Sequence, residues 1–123
     1  MSIFKKIATA GLFGLITSST AVAGSCGYEY CWGAVGSAAN GAYGWAHSYF
    51  SEQEAINAVQ QSCKGQCTEI KSFYNTCGAM ARSPSGAWGW AWNSSREVAE
   101  NQAVGYCLQH GNDCRVVVWS CSK

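Results

Sequence analysis

The chain has 123 residues, of which 12% are charged, and its formal net charge is +1. At that length it forms one small domain rather than two, and near neutrality leaves no broad basic field for nucleic acid or anionic lipid. So few charges beside six tryptophans and eight cysteines also exclude a disordered chain.

Residues 1–23 read as a secretory signal peptide. Lys5-Lys6 is the basic start, 7–16 is an apolar run of ten, and Ala21-Val22-Ala23 is an A-x-A cleavage site. Ten apolar residues are too few to span a bilayer, so no membrane span is expected. Cleavage near Ala23 would leave one exported domain, 24–123, periplasmic or extracellular, with six basic and seven acidic side chains. Lipidation at Cys26 is the rival reading. It lacks a large aliphatic residue in Ala23-Gly24-Ser25 and would leave an odd number of cysteines.

The mature part repeats itself. An offset of 45 carries Gly33-Ala34-Val35 onto Gly78-Ala79-Met80, and Gly41-Ala42-Tyr43-Gly44-Trp45-Ala46 onto Gly86-Ala87-Trp88-Gly89-Trp90-Ala91. The register then slips by one, so that Ala55 and Cys63 match Ala99 and Cys107, and Cys67 matches Cys114. The two copies run about 32–73 and 77–121.

Each copy predicts the same elements. A strand over 32–38 turns at Asn40-Gly41, a type I′ signal, into a strand over 42–48. Ser51-Glu52-Gln53-Glu54 is a capping box that opens a helix with Ala55, Ile56, Val59 and Cys63 on one face. A strand over 68–74 closes the copy. In the second copy a strand begins at Cys77, Pro84-Ser85-Gly86 turns, and a strand covers 87–93. Ser94 is the expected cap of a helix presenting Val98, Ala99, Ala103, Tyr106 and Cys107, and the last strand covers 115–119. The fold class is therefore α+β: a duplicated β-β-α-β unit forming a mainly antiparallel sheet, with two helices on one face and disulfide staples.

Eight cysteines allow 105 pairings, which sequence alone cannot fix, but repeat symmetry suggests one set. Cys63 and Cys67 bracket the end of the first helix as Cys107 and Cys114 bracket the second, so each pair is expected to bridge. Cys77 and Cys121 would meet if their strands are antiparallel neighbours, and Cys26–Cys31 closes the leader. Zinc at Cys107, His110 and Cys114 is the competing use, but the first copy lacks a matching histidine, so no metal and no cofactor are expected.

No catalytic set emerges. All eight cysteines are expected to pair, which would leave His47 and His110 no thiol to activate. Asp113 is the only aspartate, and Glu52, Glu54, Glu97 and Glu100 occupy first helical turns where the helix dipole favours them. The chain is expected not to be an enzyme.

The aromatic residues are the remaining candidates. Tyr43, Trp45 and His47 share one face of their strand, as do Trp88, Trp90 and Trp92, with alanine and glycine opposite. The favoured reading packs these rows between sheet and helices as core. The alternative puts alanine and glycine under the helices and leaves the rows, with the hairpin tips at Asn40 and Ser85, as a binding platform.

The repeated G-A-[YW]-G-W-A arm and the closing Cys114-Arg115-Val116-Val117-Val118-Trp119 resemble an exported bacterial family, domain of unknown function 4189. The resemblance runs from Trp32 to Cys121. Thr68-Glu69-Ile70-Lys71 departs from the family's valine-rich strand, and the Cys26–Cys31 leader is an addition. The resemblance implies export and fold and carries no activity. The expected function is an exported, non-catalytic module that binds another envelope or secreted protein, as an inhibitor or immunity protein against a secreted hydrolase would. A carbohydrate- or peptidoglycan-binding module is the alternative.

Overall fold

The computed structural model describes residues 24–123; the predicted signal peptide and its cleavage site lie outside them. In chain order the elements are β1 (Trp32–Ser37), β2 (Tyr43–Tyr49), α1 (Glu52–Ser62), β3 (Glu69–Tyr74), β4 (Thr76–Arg82), β5 (Trp88–Asn93), α2 (Arg96–Leu108) and β6 (Arg115–Ser122). The duplicated β-β-α-β order holds.

The strands form two antiparallel three-stranded sheets, ordered β2-β1-β3 and β5-β4-β6, one from each repeat. The expected single sheet with both helices on one face is thereby refined. Each helix covers the outer face of its own sheet, and the two inner faces pack on each other.

Small residues allow this layering. Ala34, Ala46, Ala55 and Val59 form the core under α1, and Ala79, Ala91, Ala99 and Ala103 the core under α2. Val35, Phe73, Met80 and Val118 fill the space between the sheets. The glycines opposite the aromatics set how closely each helix lies. A Cβ on Gly89 would fall on the Cys107 backbone nitrogen and 2.6 Å from the Ala103 oxygen; one on Gly44 would sit 2.7 Å from the Val59 oxygen. Neither obstacle is a flexible side-chain tip. Gly89→Ala is expected to push α2 outward and destabilise the fold by about 1–3 kcal/mol, read as a lowered denaturant midpoint; an unchanged midpoint would contradict this packing.

The local signals mostly land where the sequence puts them. The Ser51 hydroxyl accepts from the Glu54 amide at 3.2 Å, as the capping box requires. The second cap is Ser95, one residue later than expected, accepting from the Val98 amide at 3.3 Å. Val98 and Tyr106 are 39% and 51% exposed, off the buried stripe of α2. The first hairpin is not type I′. Only Gly41 has positive φ, the Ala38 amide donates to the Ala42 carbonyl at 2.9 Å, and the Asn40 side chain accepts from the Ala42 amide. The hairpin around Gly86 repeats the pattern, with the Ser83 amide donating to Ala87 at 2.9 Å.

The four bridges are Cys26–Cys31, Cys63–Cys67, Cys77–Cys121 and Cys107–Cys114, the set expected from the repeat, and none of the described cysteines is free. Asn75, between the repeats, holds the leader. Its side chain accepts from the Cys31 amide at 2.9 Å and donates to the Glu29 carbonyl at 3.0 Å.

The repeats meet about a pseudo-two-fold axis. Positions related by the offset of 45 face each other there: Ser37 with Arg82, and Val35 with Met80. The Arg82 guanidinium is 8% exposed and donates to the Ser37 hydroxyl at 2.8 Å, the Ser37 carbonyl at 3.3 Å and the Gly86 carbonyl at 3.0 Å. Its ion-pair partner is Glu69, which also accepts from the Thr68 hydroxyl at 2.7 Å.

Candidate aromatic binding faces

The two aromatic rows lie on the strand faces turned away from the helices, because alanine and glycine occupy the faces beneath them. The reading of both rows as core between sheet and helix is therefore corrected. At Gly44 and Gly89 the helix backbone comes too close for even a Cβ.

Facing the other sheet, the rows have mixed fates. On β5, Trp88 and Trp90 are half-buried against the inter-sheet core, with the Lys71 ammonium of β3 at 5.6 Å and 5.9 Å from their ring centroids. That distance allows a cation–π attraction. Trp92, at the end of the row, is 60% exposed. On β2, Tyr43 and Trp45 are each 52% exposed and His47 is exposed too. The Trp45 and His47 rings are parallel within 3°, with centroids 5.7 Å apart, and His47 Nδ1 lies 2.9 Å from the Ser48 hydroxyl.

Each row borders a groove. The β2 row and β6, chiefly Val117 and Trp119, enclose about 490 Å3. Trp119 is held by Arg96 of α2, whose guanidinium carbon sits 3.6 Å from the ring centroid. The β5 strand, Gln102 and Tyr106 of α2, and His110 just beyond the helix end enclose about 760 Å3. Val117, Trp119 and Tyr106 were not among the sequence candidates. The first two lie in a strand that reads as buried, and Tyr106 in a helical stripe that reads as core. A third aromatic group gathers where the leader meets the repeats: Tyr28 packs edge-on to Phe50, and Tyr30 and Trp32 both pack against Tyr74.

The hairpin tips Asn40 and Ser85 stand at one end. Asn40 bonds Gln66 across the loop, and the Ser85 hydroxyl lies 2.8 Å from that of Ser83. Cys107 and Cys114 are bonded to each other, so neither offers a thiolate to a metal beside His110. Among the described residues no helix is long and apolar enough to cross a membrane.

These features define a class of small α+β domain: two β-β-α-β units stacked sheet on sheet between two helices and stapled by four disulfides. The model of the family described as domain of unknown function (DUF4189) matches residues 32–121, and the chain belongs to that family. The NMR structure of Rv1813c from Mycobacterium tuberculosis is similar in fold, with a TM-score of 0.57 and 22% identity over 98% of this chain and 99% of that one. No curated protein matches the chain.

Proposed function

We propose that this is an exported, non-catalytic module that binds another envelope or secreted protein through the β2 row, as an inhibitor or immunity protein against a secreted hydrolase would. The observation that carries the proposal is the exposure of Tyr43 and Trp45, 52% each, on a strand held rigid by glycine-mediated contact with α1. Aromatic side chains have few rotors to freeze and give large contact areas, so they dominate protein-binding hot spots. Val117 and Trp119, 38% and 40% exposed, widen the patch. The leader and signal-like start support export, and disulfides suit an oxidising compartment.

Trp45→Ala should leave the melt within about 1 kcal/mol of wild type, since half the ring already faces water. Half-buried Trp90→Ala should lose about 3 kcal/mol of stability. A partner retained from envelope extract by immobilised wild-type protein should be bound about 30-fold more weakly by Trp45→Ala, equivalent to roughly 2 kcal/mol. Equal retention by the variant would sink the proposal.

The parallel Trp45–His47 pair favours one second reading, a glycan- or peptidoglycan-binding surface, because a flat ring pair can stack on sugar faces. Co-sedimentation with insoluble peptidoglycan, lost in Trp45→Ala, would select it.

A further inference from the structure

Strand β5 is an edge strand whose outward backbone is identifiable. The Ser83 amide bonds to the Ala87 carbonyl at 2.9 Å across the hairpin. In an antiparallel ladder alternate residues turn both backbone groups to the neighbour, so Gly89, Ala91 and Asn93 point to β4, while Trp88, Trp90 and Trp92 point outward. The disulfide between β4 and β6 gives the same parity. Cys77 and Cys121 are directly opposite with Cα atoms 3.9 Å apart, the narrow pair without mutual hydrogen bonds, so the Cys77 backbone turns to Asn93 on β5.

The other three described edges carry devices that discourage pairing. The β1–β2 register shifts, and the far end of β2 is tied to β6: Ser120 donates to the Ala46 carbonyl at 2.9 Å, and the Ser48 amide to the Ser122 hydroxyl at 2.8 Å. β3 carries Glu69 and Lys71. β6 begins with Arg115, and its pairing with β4 also shifts register. β5 has a regular register, no charge and no proline.

We propose that β5 pairs with β5 of a second copy of the chain, antiparallel about a two-fold axis through Trp90. The inference is independent of the partner face on β2. Trp88-Gly89-Trp90-Ala91-Trp92 reads almost identically in both directions. The axis therefore sets Trp88 opposite Trp92 of the second copy and Trp90 opposite its own mate. Aromatic pairs across strands are stabilising, and no like charges meet. The outward groups of the three tryptophans in each copy satisfy each other, and the two sheets become one of six strands. The occupant is a second copy because the pattern is complementary to itself. The open groove beside Tyr106, itself 51% exposed, gives room for the approaching copy. The new contact is small, roughly 800–1,200 Å2 in total, so the dimer belongs with weak, concentration-dependent interfaces, with a dissociation constant on the order of 10 μM.

The test is sedimentation of the purified protein from about 1 μM to about 500 μM, concentrations that bracket that constant. A monomer–dimer transition is expected. In a mixed isotope-labelled NMR sample, intermolecular contacts should link β5 to β5. Trp92→Pro removes an outward amide that bonds nothing in the monomer, at an edge position where proline is tolerated. It should melt like wild type and remain monomeric throughout. Should that variant not fold, Trp92→Lys, at a side chain 60% exposed, is expected to weaken the dimer at least about 10-fold. A wild-type protein that stays monomeric, a dimer indifferent to both variants, or intermolecular contacts at another strand would each overturn the proposal.

Discussion

Full reduction of the four disulfides should unfold the protein at ambient temperature, and the Cys77–Cys121 bridge should account for the largest single share. Chain-entropy arguments scale with the loop each bridge closes. Cys77 and Cys121 are 44 residues apart, whereas the other pairs are separated by 5, 4 and 7 residues. The expected losses are about 4 kcal/mol for the long loop and about 2–2.5 kcal/mol for each short one. Together they come to about 10–11.5 kcal/mol, within the roughly 5–15 kcal/mol that a typical domain holds in all. The cores under the helices are mostly alanine, which buries little area per side chain, so they offer little reserve. Denaturant melts of Cys77→Ala/Cys121→Ala beside Cys63→Ala/Cys67→Ala measure the ranking. A protein that melts unchanged in excess reductant, or a double variant of the short loop that costs more than that of the long one, would contradict this account.

The second large effect is expected at the inter-repeat ion pair, and it should be asymmetric. Arg82 is 8% exposed and Glu69 27%. Removing Glu69 leaves a buried guanidinium without its counter-charge, whereas removing Arg82 leaves a carboxylate that water can reach. Glu69→Ala should therefore cost about 3 kcal/mol, and Arg82→Met only about 1–2 kcal/mol, since methionine keeps much of the packing while the Ser37 and Gly86 carbonyls lose a donor. The double variant should be less damaged than the sum, because no unpaired charge remains. Urea unfolding of the three variants forms the cycle. Equal costs for the two single changes would mean that burial does not govern the pair.

What sequence alone determined here is local or repeated. The N-cap at Ser51 declares itself because its hydroxyl and the Glu54 amide that donates to it lie within one helical turn. Two of the four disulfides are suggested by duplication, since Cys63 and Cys67 bear the same relation to α1 as Cys107 and Cys114 bear to α2, whereas Cys77–Cys121 depended on which strands become neighbours. The alternation of Trp88, Trp90 and Trp92 with Gly89 and Ala91 showed that large and small residues occupy opposite faces, because strand period is a backbone property. Which face meets which layer was decided only by tertiary structure. Both faces of each sheet are covered, one by a helix and one by the other sheet, so a period of two cannot say what lies on either side. The backbones of α1 and α2 come so close to Gly44 and Gly89 that only the small-residue face fits beneath a helix. The tryptophan faces are left to the gap between the sheets, half-buried at Trp90 and open at Trp45 and Trp92 as the stacking of the two sheets runs out. The division into two sheets is likewise a matter of packing between repeats: Phe73, Val35 and Met80 bring together positions far apart in the chain, and no local pattern encodes that meeting.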